Sequence, residues 1–228
     1  MTQMYDRSIL LIGEEDFAKL NNKCVLVVGL GGVGGTAFEC LARSGIKNFL
    51  IIDFDVVSES NLNRQILYTY SDVNQNKVDC AKKRVQAINK DINVIAINER
   101  FSESTITKLN DYKIDFIIDA IDSIDAKISL VKFALDKNIR IISSLGMANR
   151  LDPSKVTIMR LDKTYNCPLA KKFRFELRKN GVNLKDVMCA FSSEGPVRKG
   201  IVPASMMMVP SSAGLNIAYY VLKCLKGE

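Results

Sequence analysis

Between Val25 and Asp55 the chain reads VLVVGLGGVGGTAFECLARSGIKNFLIIDFD. Gly29, Gly31, Gly32 and Gly34 follow an apolar run and open a helical one. In that setting Gly29 permits a tight turn, Gly31 and Gly32 let backbone amides approach a phosphate, and Gly34 lets the helix sit close to the sheet. Asp53 closes the next apolar run at the distance expected of a ribose-binding carboxylate. The pattern implies a nucleotide; its alternative is a tight strand-to-helix turn with no ligand.

The loop DFDVVSESNLNRQILY then places Asn61, Arg64 and Gln65 just beyond that carboxylate, and Lys77 opens the next helix. A dehydrogenase holds its diphosphate mainly by backbone amides and needs little side-chain cation. Arg64 and Lys77 added to the same site instead suit a triphosphate whose departing pyrophosphate develops charge. The competing reading makes both residues solvated surface charges.

These groups need a scaffold, and the pattern supplies one. Apolar runs at Cys24 to Val28, Phe49 to Asp53, Val94 to Ile97, Phe116 to Ile118 and Arg140 to Ser143 read as strands. Helical patterns at Gly13 to Leu20, Val33 to Ser44, Gln75 to Ile88, Ser104 to Leu109 and Ala126 to Asp136 surround and separate them. Continuous apolar strands alternating with helices imply a Rossmann-like, doubly wound α/β fold with a mostly parallel sheet and a C-terminal extension. Residues 1–228 are expected to form one domain, since 228 residues at 47% hydrophobic content can bury one large core and not comfortably two. Ile201 to Leu222 is an uncharged run of membrane-spanning length. Its Pro203, Pro210, Gly214 and Asn216 favour a buried strand, a turn and a core helix instead.

Histidine is absent, which removes imidazole as base or metal ligand. None of the six cysteines lies in a C-x-x-C pair, and a reducing cytoplasm is the expected home. Alternation around Cys189 places it in a core strand, and Cys167 falls at a helix entry; neither shows a base partner.

The formal charge is +7, and residues 161–200 hold nine basic against four acidic residues. Within LAKKFRFELRK, Leu169, Phe173 and Leu177 recur at helical spacing as an apolar stripe, and Lys171, Arg174 and Arg178 can share another face. This basic segment, with Lys172, Lys179, Arg198 and Lys199, suits a polyanion such as a nucleic acid. The alternative is a solvated amphipathic helix.

The set GLGGVGG, DFD, SNLNRQ, Lys77 and DAIDS, in order, resembles the ubiquitin-activating-type (ThiF/MoeB-like) adenylyltransferases. That resemblance implies ATP and Mg2+, with Asp53 on the ribose and Asn61, Arg64 and Lys77 on the phosphates. It makes Asp122 the residue that organises magnesium and the reacting α-phosphate, and adds a carboxylate attack that gives an acyl adenylate. It also makes Arg7, in YDRSILLIGEE, a candidate arginine finger reaching the partner's ATP in a homodimer. Sulfur-carrier activators in the family commonly carry two C-x-x-C pairs for zinc, which this chain lacks, and Asp122-Ser123 stands where many relatives have Asp-Asn. The remaining stretches, including ISSLGMANRLDPSKV, CPLAKKFRFELRKNGV and VPASMMMVPSSAGLNIAYYVLK, resemble the bacterial tRNA threonylcarbamoyladenosine dehydratase branch. The implied reaction is ATP-dependent cyclising dehydration of that nucleoside in tRNA; activation of the C-terminus of a ubiquitin-like sulfur carrier is the alternative. A monovalent cation (Na+ or K+) and a cysteine desulfurase partner accompany the resemblance as further expectations.

Overall fold

The computed structural model describes residues 4–197 and 203–227. Its centre is a seven-stranded sheet of β1 (Cys24–Val28), β2 (Asn48–Ile52), β3 (Asn93–Ile97), β4 (Phe116–Asp119), β5 (Arg140–Ser144), β6 (Val156–Arg160) and β7 (Met188–Ser192). The order is β3-β2-β1-β4-β5-β7-β6, with every pairing parallel except antiparallel β6 on β7. Around it lie α1 (Asp6–Ile12), α2 (Glu14–Asn21), α3 (Gly32–Arg43), α4 (Lys77–Ile88), α5 (Glu103–Leu109), α6 (Ile124–Asp136), α7 (Pro168–Lys179) and α8 (Met208–Lys226).

The uninterrupted apolar strands are explained by burial on both faces. Val25, Val27, Phe49, Ile51, Phe116 and Ile118 face the layer that includes α3, α4 and α8, whereas Leu26, Val28, Leu50, Ile52 and Ile117 face that of α5, α6 and α7. Period-two alternation then sends apolar residues into two cores at once.

Strand order reverses between β1 and β4, both of which pair along their length, so the loops after them diverge and leave a crevice. That crevice holds the candidate site.

Three expectations need correction. The helix expected over Gly13 to Leu20 is α2, and a further helix, α1, precedes it across Gly13. No residue of α1 is buried, so it leaves no core-facing stripe in the sequence. β6 was likewise absent from the strands expected, because as an antiparallel edge strand it buries only Val156 fully. The buried strand expected at the start of 201–222 is not found: residues 203–206 are irregular and largely exposed, and residues 201 and 202 lie outside the described residues. The core helix expected there is α8, with Pro210 in its first turn, where the missing N–H costs no helical bond. Among the described residues no helix is long and apolar enough to cross a membrane.

Candidate active site

The glycine turn is built by contacts a side chain would forbid. Gly29 has φ +91°, and a Cβ on Gly34 would lie 1.9 Å from the Gly29 carbonyl oxygen. The first turn of α3 therefore rests on the end of β1, and its N-terminus points into the crevice. The unpaired N–H groups there favour an anion.

Asp53 follows β2 and is almost wholly buried. One carboxylate oxygen accepts from the Leu30 N–H at 2.6 Å, the other from the Asp55 N–H at 2.9 Å. Burial pushes this carboxyl above its ordinary range, against the opposing pull of those two N–H groups. A carboxylate held this rigidly beside a glycine turn is a fixed acceptor for hydroxyl groups.

The opposite wall comes from the segment after β2. Asn61 closes the 3-10 turn Glu59–Asn61 by accepting from the Ser58 N–H at 3.2 Å. Arg64 donates through one terminal nitrogen, Nη1, to Ser60 O at 2.7 Å and to the Asn63 side chain at 2.8 Å. Its fork is thus anchored by one arm, and among the described residues Nε and Nη2 make no hydrogen bond. Gln65 is buried, with its Oε1 lacking any partner. A buried polar atom left so is satisfied when a ligand supplies a donor. Lys77, the first residue of α4, is buried and pairs with Asp55 at 2.7 Å. An ammonium carries three donors, so Lys77 can hold an anion beside Asp55.

These residues line one cleft of about 720 Å³ with Gly29, Gly31, Gly32, Asp122, Ser123 and Asp125. Every residue expected to hold nucleotide is therefore in the cleft wall except Gly34, which acts one layer behind it. Asp122 is exposed in the turn between β4 and α6, with Asp125 nearby. Among the described residues no three His, Cys, Asp or Glu side chains gather to hold a metal. One or two carboxylates at the mouth of a phosphate site are nevertheless the protein's usual share of a Mg2+ shell completed by phosphate oxygens.

Arg7 is not part of this cleft. The Tyr5 hydroxyl donates to Ala42 O at 3.1 Å and accepts from the Asn89 amide at 3.1 Å, which ties the start of α1 to the far ends of α3 and α4. The cleft lies at the near ends of both helices, a full helix length of about 18 Å away.

Several contributors carry no signal in local sequence. Val28, Ile52, Phe101 and Ile121 give the cleft an apolar end, and the Arg100 guanidinium lies 4.3 Å from the centroid of the Phe54 ring at its lip. Behind Asp122, Lys127 and Asp119 form a wholly buried ion pair at 3.0 Å, and the lysine also donates to Ser144 O at 2.8 Å. Phe54 stands inside the quoted DFD and Lys127 just after DAIDS, but neither pairing follows from spacing.

The basic segment divides. On α7, Lys171, Lys172, Arg178 and Lys179 are exposed. Arg174 does not share their free face: it is half-buried and donates to Thr164 O at 2.8 Å and Thr164 Oγ1 at 2.6 Å. Arg198 and Lys199 lie outside the described residues. Cys167 caps α7, its Sγ accepting from the Ala170 N–H at 3.4 Å. Cys189 is wholly buried in β7, and burial pushes its thiol far above the ordinary range, the setting of an inert cysteine.

Comparison with known proteins bears on the same site. The Bacillus subtilis (strain 168) tRNA threonylcarbamoyladenosine dehydratase is 40% identical, over 97% of this chain and 94% of that protein. A Haemophilus influenzae molybdopterin-synthase adenylyltransferase is 32% identical over 75% of this chain and 70% of its own length. Among solved structures, Escherichia coli tRNA N6-threonylcarbamoyladenosine dehydratase in complex with ATP matches with a TM-score of 0.93 at 30% identity, covering 98% of this chain and 93% of that one. The same enzyme in complex with AMP matches at 0.91, with 28% identity and coverage of 99% and 98%. The sequence model of the ThiF family matches residues 5–228, and the chain belongs to that family.

Proposed function

We propose that this protein is an ATP-dependent tRNA threonylcarbamoyladenosine dehydratase. The observation that carries the reading is the convergence of the glycine turn, Asp53, Arg64, Lys77 and Asp122 on one cleft at the strand-order reversal. The likeness to the B. subtilis and E. coli dehydratases, the latter crystallised with ATP and with AMP, supports it over nearly the whole chain.

In this reading the apolar end of the cleft takes adenine, Asp53 accepts from the ribose hydroxyls, and the N–H groups at the start of α3 face the phosphates. Asn61, Arg64 and Lys77 hold the phosphate chain, Gln65 lines the same wall with its Oε1 open to a donor on the ligand, and the two cations stabilise the charge that develops on pyrophosphate as it leaves. Asp122 and the ATP oxygens would hold Mg2+, which supplies charge neutralisation along the phosphates when bound. The threonyl carboxylate of the modified base attacks the α-phosphate, pyrophosphate departs, and an atom of the same carbamoyl group then displaces AMP to close the ring. The nucleophile belongs to the substrate, so no protein thiol or imidazole is needed, in keeping with a chain that has no histidine and a buried Cys189. Positioning and electrostatics carry the rate.

The reading includes a homodimer in the cytoplasm. Arg7 sits on α1 at the end of the fold opposite its own cleft, and Leu10 and Leu11 on that helix are 86% and 84% exposed. A second copy packed on α1 would cover these leucines and bring Arg7 towards a cleft it cannot reach within its own subunit. Residues 1–228 act as one adenylation domain, with the basic segment at 161–200 meeting tRNA.

Activation of a ubiquitin-like sulfur carrier is the second reading, favoured by the molybdopterin-synthase adenylyltransferase likeness. Against it stand the missing C-x-x-C pairs and the exposed cations of α7. Mass spectrometry of nucleosides from threonylcarbamoyladenosine-bearing tRNA, incubated with protein, ATP and magnesium, separates the two. Loss of one water from that nucleoside with AMP and pyrophosphate released is expected. An unchanged nucleoside together with ATP–pyrophosphate exchange on a carrier ending in Gly-Gly would transfer the assignment.

A further inference from the structure

Helix α7 buries one stripe, Ala170, Phe173 and Leu177, and exposes the opposite one. At 100° per residue the pole directly away from that stripe is occupied by Phe175. Its ring is 64% exposed. Residues three and four positions away on a helix are its surface neighbours, with Cβ atoms about 5–6 Å apart. For Phe175 those neighbours are Lys171, Lys172, Arg178 and Lys179, all basic and all exposed. A phenylalanine at the outward pole contributes nothing to the core, and its exposure shows that the lysine stems do not fold over it.

The combination has a chemical meaning that neither half has alone. Four cations without the aromatic would be a solvated helix face, and a single exposed apolar residue is ordinary on any surface. An open aromatic face within a ring of cations is what an unpaired nucleotide needs: a plane on which to stack its base, and charges for the phosphates on either side of it. A duplex offers no free base and can use only the charges. The location fits as well. α7 packs beside α6, whose first turn borders the cleft, and Phe173 on its inner face lies 5.8 Å from the Lys127 ammonium behind Asp122.

We propose that Phe175 is a stacking platform for an unpaired base of the RNA substrate, with Lys171, Lys172, Arg178 and Lys179 gripping the flanking phosphates. The proposal rests on the tRNA reading above and adds a residue to it. Phe175 is a positioning residue: it sets where the loop of the RNA lies and takes no part in the chemistry at the α-phosphate.

The test is equilibrium binding of full-length protein to two RNAs of equal charge, a stem-loop with its loop unpaired and a blunt duplex, across a salt series. F175A is expected to weaken stem-loop binding about tenfold, the loss of one stacked base. Duplex binding and the KM for ATP should stay unchanged, and F175W should restore stem-loop affinity. Stacking releases no counterion, so the slope of log affinity against log salt should be the same for F175A as for wild type. K171A/K172A should make that slope shallower by about two. Phe175 is solvent-facing, so the variants are expected to melt as wild type does, which a thermal scan checks. Equal stem-loop affinity for wild type and F175A, or equal losses on stem-loop and duplex, would overturn the stacking role and leave the enzyme reading intact. Failure of the wild-type protein to bind either RNA would overturn both.

Discussion

Lys127 holds Asp119 across 3.0 Å with neither side chain reached by solvent, and the turn between them carries Asp122. Asp119 also accepts from the Ile121 N–H at 3.2 Å, while Lys127 donates to Ser144 O at the end of β5. Three backbone segments behind the cleft wall are thus tied to one ammonium. Removing one partner of a buried pair leaves the other charge uncompensated, so K127A is expected to lose about 3–5 kcal/mol of stability. K127M/D119N, which leaves no buried charge, should recover much of that loss. It should still turn over about tenfold more slowly than wild type and need more magnesium for half-maximal rate, because the Asp122 turn has lost the Lys127 tie to position 119 and Ser144 O. Thermal melts and magnesium titrations of the two variants check this. Wild-type turnover and magnesium dependence in the double variant would mean the turn is held by other contacts.

Arg64 and Lys77 face the cleft from different structural starting points. Arg64 is pinned by one arm, and Lys77 is buried against Asp55. If both stabilise the leaving pyrophosphate, R64A and K77A should each cost about 2.7–4 kcal/mol of transition-state stabilisation, a fall in kcat of roughly 10²–10³. Neither change should unfold the protein, since Arg64 is half-exposed and Asp55 can be solvated once Lys77 is gone. Steady-state pyrophosphate release reads the effect, and normal turnover in both variants would remove them from the phosphate site.

Glu39 gives the fold a pH limit. Its nearly buried carboxylate joins Arg43 at 2.7 Å and Arg84 at 2.9 Å, bridging α3 to α4. Burial alone would raise this carboxyl, but the hydrogen bonds from Arg84 and Arg43 together outweigh it and hold the group below its ordinary value near 4.5. A carboxyl depressed in the folded state contributes stability that is complete above the unfolded value and lost as pH falls through the folded one. E39Q should therefore be less stable than wild type at neutral pH, by about 1–2 kcal/mol given how exposed both guanidinium groups are. The difference should begin to shrink as pH falls below 4.5 and vanish only once pH has passed below the depressed folded value, where both proteins carry a neutral side chain at this position. Urea denaturation at two pH values measures it.

Elements that answer to the core were legible in the chain. β1 was read from Cys24 to Val28 as found, and α7 from a stripe of Leu169, Phe173 and Leu177, of which Phe173 and Leu177 are buried while Ala170 takes the place of the half-buried Leu169. Gly29, Asp53, Arg64 and Lys77 were legible from the residues that follow β1 and β2, where a strand-order reversal opens a crevice, whereas Asp122 entered only through the family resemblance. What stayed hidden depends on long-range placement. α1 buries nothing and β6 is a half-exposed edge, so neither carries a full period. The partners of Arg174, Lys127 and Arg100 are set by tertiary packing, which is why Arg174 was grouped with the free cations of α7 although it is spent on Thr164.

Arg7 offers the sharpest test of assembly. Its helix is tied to the ends of α3 and α4 farthest from the cleft, so any role in catalysis must be played in another subunit. Two variants, R7A and D122A, should each lose most activity when assayed alone. If two copies pair as proposed, mixing them under conditions that allow subunit exchange gives heterodimers in which one cleft combines Asp122 from the R7A subunit with Arg7 from the D122A subunit. Random exchange makes half of the dimers mixed, each with one complete site, so activity should rise to about a quarter of the wild-type level, as expected for a two-fold assembly. A mixture no more active than its components, with exchange verified by differently tagged subunits, would confine Arg7 to a role within its own chain. L10D/L11D should be monomeric by sedimentation and as inactive as R7A, since burying unpaired carboxylates of like charge across the interface would oppose association. A monomeric variant with full activity would show that one subunit suffices.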